Sequence, residues 1–141
     1  MSASWPFWAV LAAVFAALTA ILAKLGVEDV PSNLATLIRT LVVVAALSGI
    51  VWATGEARGI GSVSPRSLTF LALSGLATGA SWLCYFRALK LGPASRVAPI
   101  DKLSIVLVAV FAGLFLGEKL SGAGWFGVVL IAIGALLVAN G

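Results

Sequence analysis

Long apolar runs separated by short polar breaks dominate this sequence. A helix needs about 20 mainly apolar residues to cross the hydrocarbon core of a bilayer. Five runs reach this length, at roughly 5–25, 33–54, 67–91, 94–116 and 121–140. Apolar and polar positions do not alternate within the runs, as they would in the strands of a membrane barrel. The pattern therefore predicts an all-α membrane protein with five transmembrane helices.

Local residue signals mark several of the predicted helix ends. Pro65, preceded by a serine, and Ser121 are typical of helix starts. The fourth helix has two possible starts, Ala94 and Pro99, because both follow a break in the apolar pattern. The breaks are too short for a linker between domains, and no sequence repeat is visible. Residues 1–141 are therefore predicted to form a single five-helix domain.

The composition supports a membrane protein and excludes several other classes. Hydrophobic residues make up 62% of the chain and charged residues 10%, against about 45–50% and about 25% in soluble domains. There is no histidine and one cysteine, Cys84, so imidazole catalysis and an internal disulfide are excluded. No glycine-rich segment has the context of a nucleotide-binding loop. We therefore expect no enzymatic activity, no metal, no cofactor and no nucleic-acid partner.

Positive charge is balanced across the predicted membrane. The breaks on one side hold Arg58, Arg66 and Lys119, and those on the other hold Lys24, Lys90 and Arg96. Arg39 and Arg87, within the runs, add slightly to the second side. The rule that positive loops stay inside thus gives little preference for one orientation. Two explanations stay open: a noisy count in a short chain, or insertion of different copies in both orientations.

Charged residues inside the apolar runs are candidates for function, because an ionised side chain in hydrocarbon is costly and usually faces a partner or a wet cavity. The alternative for Arg39 and Arg87, and the interpretation we favour for Lys24 and Lys90, is snorkelling of a long side chain towards the headgroups. Asp101 is too short to snorkel far.

The role of Asp101 depends on where the fourth helix begins. From a start at Pro99, Asp101 lies in the first turn, where its charge suits the helix dipole. From a start at Ala94, it lies about 10 Å along the helix and needs a cation. Arg39, Arg87 or Lys102 could supply that cation.

An aromatic group lies in the third predicted helix. Trp82 and Tyr85 are three residues apart, so they share one helical face, with Phe86 beside them. Simple packing between helices explains such a group. A cavity wall also explains it, because transporter sites combine apolar surface with a few polar groups.

The chain resembles a known family, most clearly in one segment. The segment WLCYFRALKLGPASRVAPIDKLS, at 82–104, resembles the third-to-fourth helix region of EamA-type transporters, which belong to the drug/metabolite transporter superfamily. Leu116-Gly117-Glu118 looks like that family's ending of the fourth helix. Lys24 and Arg39 also match its pattern. The resemblance covers nearly the whole chain as one five-helix unit.

The resemblance implies a transporter built from two such units, inverted relative to each other around a central cavity. This chain holds one unit, so a second copy in the opposite orientation is needed, giving an antiparallel homodimer of ten helices. The implied function is half-size secondary transport of small metabolites or drugs by alternating access across a bacterial-type inner membrane. The substrate-binding candidates are Arg39, Trp82, Tyr85, Asp101, Lys102 and Ser104.

Other functions stay open beside this one. The chain could be a membrane subunit or assembly partner that does not itself transport. The small multidrug resistance proteins rely on a carboxylate in the first helix, and the first run holds none. Cationic-drug coupling through such a residue is therefore excluded. Embedded cations outnumber Asp101, which favours anionic or zwitterionic substrates such as amino acids.

Overall fold

The computed structural model describes residues 4–141, and most of these residues are helical. The α-helices are α1 (Trp5–Gly26), α2 (Ser32–Ala53), α3 (Pro65–Leu91), α4 (Ala94–Asp101), α5 (Ser104–Phe111) and α6 (Gly122–Asn140). A 3-10 helix covers Glu56–Ser62 between α2 and α3, and a π-helical turn covers Ala112–Leu116 after α5.

Within residues 4–141, five helical segments are long and apolar enough to cross a membrane. They are α1, α2, α3, α6 and the segment Ala94–Leu116, which contains α4, α5 and the π-helical turn. The predicted fold class, an all-α membrane protein with five transmembrane helices, is confirmed. The chain is therefore an integral multi-pass membrane protein. That residues 1–141 form a single domain stays a prediction.

Serine side chains cap two helices at the predicted positions. The Ser64 hydroxyl accepts a hydrogen bond from the Ser67 amide at 3.1 Å, immediately before α3. The Ser121 hydroxyl accepts one from the Gly124 amide at 3.1 Å, immediately before α6. Each bond satisfies one of the amides that a helix start leaves without a partner. Both starts are therefore encoded locally.

The fourth span begins at Ala94 and is interrupted after Asp101. Pro99 lies inside α4, and proline removes one backbone donor and clashes with the preceding turn. The carbonyl that loses its donor is that of Ser95, four residues before Pro99. After Asp101, the amides of Leu103 and Ile105 donate to carbonyls three residues back, Ile100 and Lys102, each at 3.0 Å. A regular α-helix resumes at Ser104. The span is thus two short helices joined at 102–103, a feature that apolar run length did not predict.

The described chain separates into two compact parts. The terminal part comprises the chain up to Lys24 together with Leu91–Gly141, and the middle part comprises Leu25–Lys90. In the terminal part, α6 packs against α4 and α5. In the middle part, the 3-10 helix packs against the end of α2.

Small residues dominate the buried core. The buried apolar residues are Ala20, Ala23, Val27, Ala35, Phe86, Leu89, Val128 and Ala135. Half of these are alanines, which allow helix backbones to approach closely where lipid leaves little hydrophobic drive for association. Most large apolar side chains are instead exposed on the helix surfaces. This distribution is the one expected of a chain surrounded by lipid or by further helices.

Candidate functional site

The clearest arrangement of functional side chains joins α2 to α3. The guanidinium carbon of Arg39 lies over the Trp82 ring, 4.1 Å from its centroid. The same carbon lies 5.4 Å from the centroid of the Phe86 ring. Both distances fall within the range of cation–π attraction, which is strongest with tryptophan. Two aromatic residues of α3 therefore hold the charge of an arginine that α2 carries into the span.

The arginine is held at depth. Arg39 lies about 10 Å along α2 from Ser32. Trp82 and Phe86 lie about 14 and 8 Å before the end of α3 at Leu91. The guanidinium is closer to Trp82, the deeper ring, than to Phe86. Its side chain is therefore held against α3, and snorkelling of Arg39 stays an untested alternative.

The aromatic face of α3 points into the protein. Trp82 and Tyr85 are half-buried and Phe86 is buried, whereas Leu83 and Cys84 between them are exposed. Tyr85 interacts electrostatically with the Arg39 guanidinium. The prediction that Trp82 and Tyr85 share a face is confirmed. That they line a substrate cavity stays a prediction.

Asp101 pairs with its neighbour at the interruption of the fourth span. Its Oδ2 lies 3.5 Å from Nζ of Lys102, and the two side chains are 38% and 54% exposed. The start of α4 at Ala94 decides between the two interpretations of Asp101, because it places this carboxylate at the end of α4. Of the three candidate cations, Lys102 is the one found beside it.

The interruption also leaves a backbone carbonyl without its usual helical hydrogen bond. The Ile105 amide donates to Lys102, so the Asp101 carbonyl loses the donor that an unbroken helix would provide. Ser104, exposed at the first position of α5, adds a hydroxyl. Discontinuous membrane helices of this kind surround substrate and ion sites in many transporters. Asp101, Lys102 and Ser104 thus form one polar group in the terminal part, and Arg39, Trp82 and Tyr85 form another in the middle part.

Two lysines hold backbone carbonyls at helix ends. Nζ of Lys24, near the end of α1, donates to the Gly92 carbonyl at 3.1 Å. Nζ of Lys90, in the last turn of α3, donates to the Val30 carbonyl at 2.7 Å and the Val27 carbonyl at 3.3 Å. Snorkelling was predicted for both lysines, and in addition each donates to backbone carbonyls of the protein. Lys24 connects the end of α1 to the loop after α3, and Lys90 connects the end of α3 to the loop after α1.

Lys90→Met should lower the free energy of unfolding by about 1–2 kcal/mol. The substitution removes two hydrogen bonds from a charged donor, and such bonds are worth about 1.5–3 kcal/mol each when shielded from solvent. Because Lys90 is exposed, we expect a smaller total loss than two shielded bonds would give. Val27 is itself fully buried, so its carbonyl would lose a donor where water has limited access. Unfolding by sodium dodecyl sulfate in mixed micelles measures the change. Lys119→Met, at an exposed lysine, is the control and should change stability by less than about 0.5 kcal/mol; equal effects would contradict a specific role of Lys90.

A pocket of about 290 Å³ lies in the terminal part, beside the π-helical turn. Its walls include Val108 and Ala112, and Glu118 and Lys119 contribute charge. The sequence pattern predicts this segment only as the end of the fourth span. That end is marked by Gly117, whose φ of 68° is the left-handed conformation typical of glycine at a helix end, but no residue pattern indicates the pocket.

Arg87, the other arginine within a span, is exposed, so the structure gives it no place in either polar group. Within residues 4–141, no three His, Cys, Asp or Glu side chains are gathered as metal ligands would be.

Comparison with known proteins identifies the fold family. The EamA-like transporter family matches residues 3–140, nearly the whole chain. The chain belongs to the EamA-like transporter family. This EamA-like chain is thus a transporter-type membrane protein of the drug/metabolite transporter superfamily, as its sequence resemblance predicted. Its family and its relatives' names indicate a transporter rather than an enzyme.

Two kinds of relative were found for this EamA-like chain. It is 62% identical over 139 residues to an uncharacterized transporter encoded in the cobO 3′ region of a Sinorhizobium species, covering 99% of each chain. It is 36% identical over 73 residues to a probable 4-amino-4-deoxy-L-arabinose-phosphoundecaprenol flippase subunit, ArnE, of Yersinia pestis. That alignment covers 52% of this chain and 64% of the relative. No solved structure matches the chain significantly.

Proposed function

We propose that this EamA-like chain is a half-size secondary transporter that moves small metabolites or drugs by alternating access across a bacterial-type inner membrane. The observation that carries the proposal is a single transporter-family unit of five spans with polar groups inside those spans. Side chains such as Arg39 and Asp101 are costly in lipid. A translocation path would give them solvent and a ligand.

A second copy in inverted orientation completes the transporter in this proposal. Transporters commonly place their site between two inverted repeats near the middle of the bilayer. With five spans, two inverted copies of one chain provide these repeats. The balance of positive charge between the two sides allows both orientations. The embedded cations favour anionic or zwitterionic substrates, with amino acids as the first class to test.

Reconstitution tests transport directly. Purified protein in proteoliposomes should carry at least one member of a panel of amino acids and organic anions faster than protein-free vesicles, with and without a pH gradient. Folded protein that carries none of the panel under either condition would contradict a transporter that works without other chains.

The orientation of the copies is tested in cells with two fusions at the C-terminus, one reporter active only in the cytoplasm and one active only outside. Both should give substantial signal. Arg58→Gln removes one of three cations on its side and should shift the ratio towards a cytoplasmic C-terminus. Glu56→Gln is the control, because acidic residues contribute little to orientation. One silent reporter would exclude the antiparallel homodimer.

A second candidate function is a subunit of a two-chain flippase. The observation that favours it is the name of the ArnE relatives, which describes a flippase subunit. In this case the inverted partner is a different EamA-like chain. One reporter would then be silent, and transport would require co-reconstitution with that partner.

A further inference from the structure

Stacking on an aromatic ring leaves part of an arginine available. A guanidinium is planar, and its N–H donors point outwards in that plane. The guanidinium carbon of Arg39 lies over the Trp82 ring, 4.1 Å from its centroid. A contact with one ring does not occupy all five N–H donors of a guanidinium. The edge can therefore bind a second group while the ring fixes its position.

No acidic partner uses this edge. Among residues 4–141, no carboxylate pairs with Arg39, and Asp101, the embedded acid, pairs with Lys102. Arg39 is half-buried and none of its nitrogens is both fully buried and unsatisfied. Arg39 therefore keeps part of its surface accessible, with Tyr85 beside it, at about 10 Å from the start of α2. A half-buried cation without an acidic partner has chemistry for one class of ligand, an anion.

We propose that the edge of the Arg39 guanidinium, oriented by Trp82 and Phe86, binds a carboxylate or phosphate group. Two parallel N–H···O bonds to one oxyanion fit the fork of arginine and are stronger than neutral hydrogen bonds. The aromatic surface beside it suits the apolar portion of the same ligand. The inference rests on the proposed transport function and deepens it: the substrate carries an oxyanion. That oxyanion belongs either to a soluble solute or to a lipid headgroup.

Titration calorimetry on the purified chain in neutral maltoside micelles tests the site without requiring transport. The probes are phenyl phosphate and benzoate as soluble oxyanions, and dioctanoyl phosphatidic acid as a lipid headgroup, with dioctanoylglycerol as the uncharged comparison. We expect at least one oxyanion probe to bind and dioctanoylglycerol not to bind. Binding of soluble probes assigns the site to a solute, and binding of phosphatidic acid alone assigns it to a headgroup.

The matched variants are Arg39→Gln and Arg66→Gln. Arg66 also lies over a ring of α3, at 6.0 Å from the Phe70 centroid, but both residues are exposed. Arg39→Gln should raise the dissociation constant about tenfold or more, because charge-assisted bidentate bonds are lost. Arg66→Gln should leave it within about twofold. Equal binding by the wild type and Arg39→Gln, or no binding of any oxyanion, would overturn the proposal.

Arg39→Lys covers the case in which the glutamine variant does not fold. Lysine keeps the charge but lacks the planar fork, so it should bind several times more weakly than arginine. A folded lysine variant that binds as the wild type does would overturn the assignment to the guanidinium edge. Binding in micelles needs neither a gradient nor two compartments, so it is measured independently of transport. A chain that binds an oxyanion but does not transport would contradict the proposed function. The binding site at Arg39 would still be supported.

Discussion

Phe86→Ala should lower the free energy of unfolding by about 3 kcal/mol, the lower end of the range for buried Phe→Ala substitutions in soluble proteins. Phe86 is 3% exposed, so its removal leaves a cavity. Lipid tails are as apolar as the protein interior, and the packing and cavity contributions therefore dominate the cost. The Arg39 guanidinium also loses the ring 5.4 Å away. Unfolding by sodium dodecyl sulfate in mixed micelles is the measurement.

Phe70→Ala is the matched control on the same helix. Phe70 is 61% exposed, so its side chain can be removed without creating an internal cavity, and we expect a change of less than about 1 kcal/mol. A comparable loss in both variants would mean that the aromatic residues of α3 stabilise the protein through lipid contact alone. The packing assigned to Phe86 would then be wrong.

Asp101→Asn should reduce transport about tenfold or more while leaving stability nearly unchanged. An interaction with a charged group is worth about 1.5–3 kcal/mol when it forms in a shielded site, and about 1.4 kcal/mol corresponds to tenfold. The ion pair with Lys102 is partly exposed, so it adds no more than about 1 kcal/mol to folding. Initial rates in proteoliposomes and the melting temperature are measured on the same preparation, with a substrate found in the panel.

Asp29→Asn provides the comparison for a carboxylate outside the spans, since Asp29 is exposed in the loop between α1 and α2. This variant should transport as the wild type does. Unchanged transport and unchanged melting of Asp101→Asn would show that the carboxylate at the interruption serves neither substrate nor fold. The polar group of Asp101, Lys102 and Ser104 would then have no part in the function.

The span positions were predictable because they depend on local properties of the chain. A run of about 20 apolar residues is sufficient to predict a crossing, and Ser121 caps α6 through an amide three residues away. The sharing of one helical face by Trp82 and Tyr85 follows from helical periodicity alone. Each of these features needs information only from neighbouring residues.

The partners across helices were not predictable in the same way. Arg39 meets Trp82 because of how α2 and α3 pack, and the sequence offered snorkelling as an equal alternative. Lys90 binds carbonyls some 60 residues away, and every residue offers such an acceptor, so no pattern indicates which is used. The interruption after Asp101 was not predictable from Pro99 either, because a proline disturbs the turn before it and the interruption lies after it.

The joint at 102–103 affects how the fourth span responds to force. A continuous helix such as α2 is a stiff rod, because bending it sharply breaks amide-to-carbonyl bonds that are intact at rest. At the joint some of these bonds are already replaced by shorter-range ones, so further bending there disrupts fewer of them. Each of the two short helices is about 12 Å long, and both pack against α6. Any bending of the fourth span therefore concentrates at 102–103, while its two helical halves stay straight.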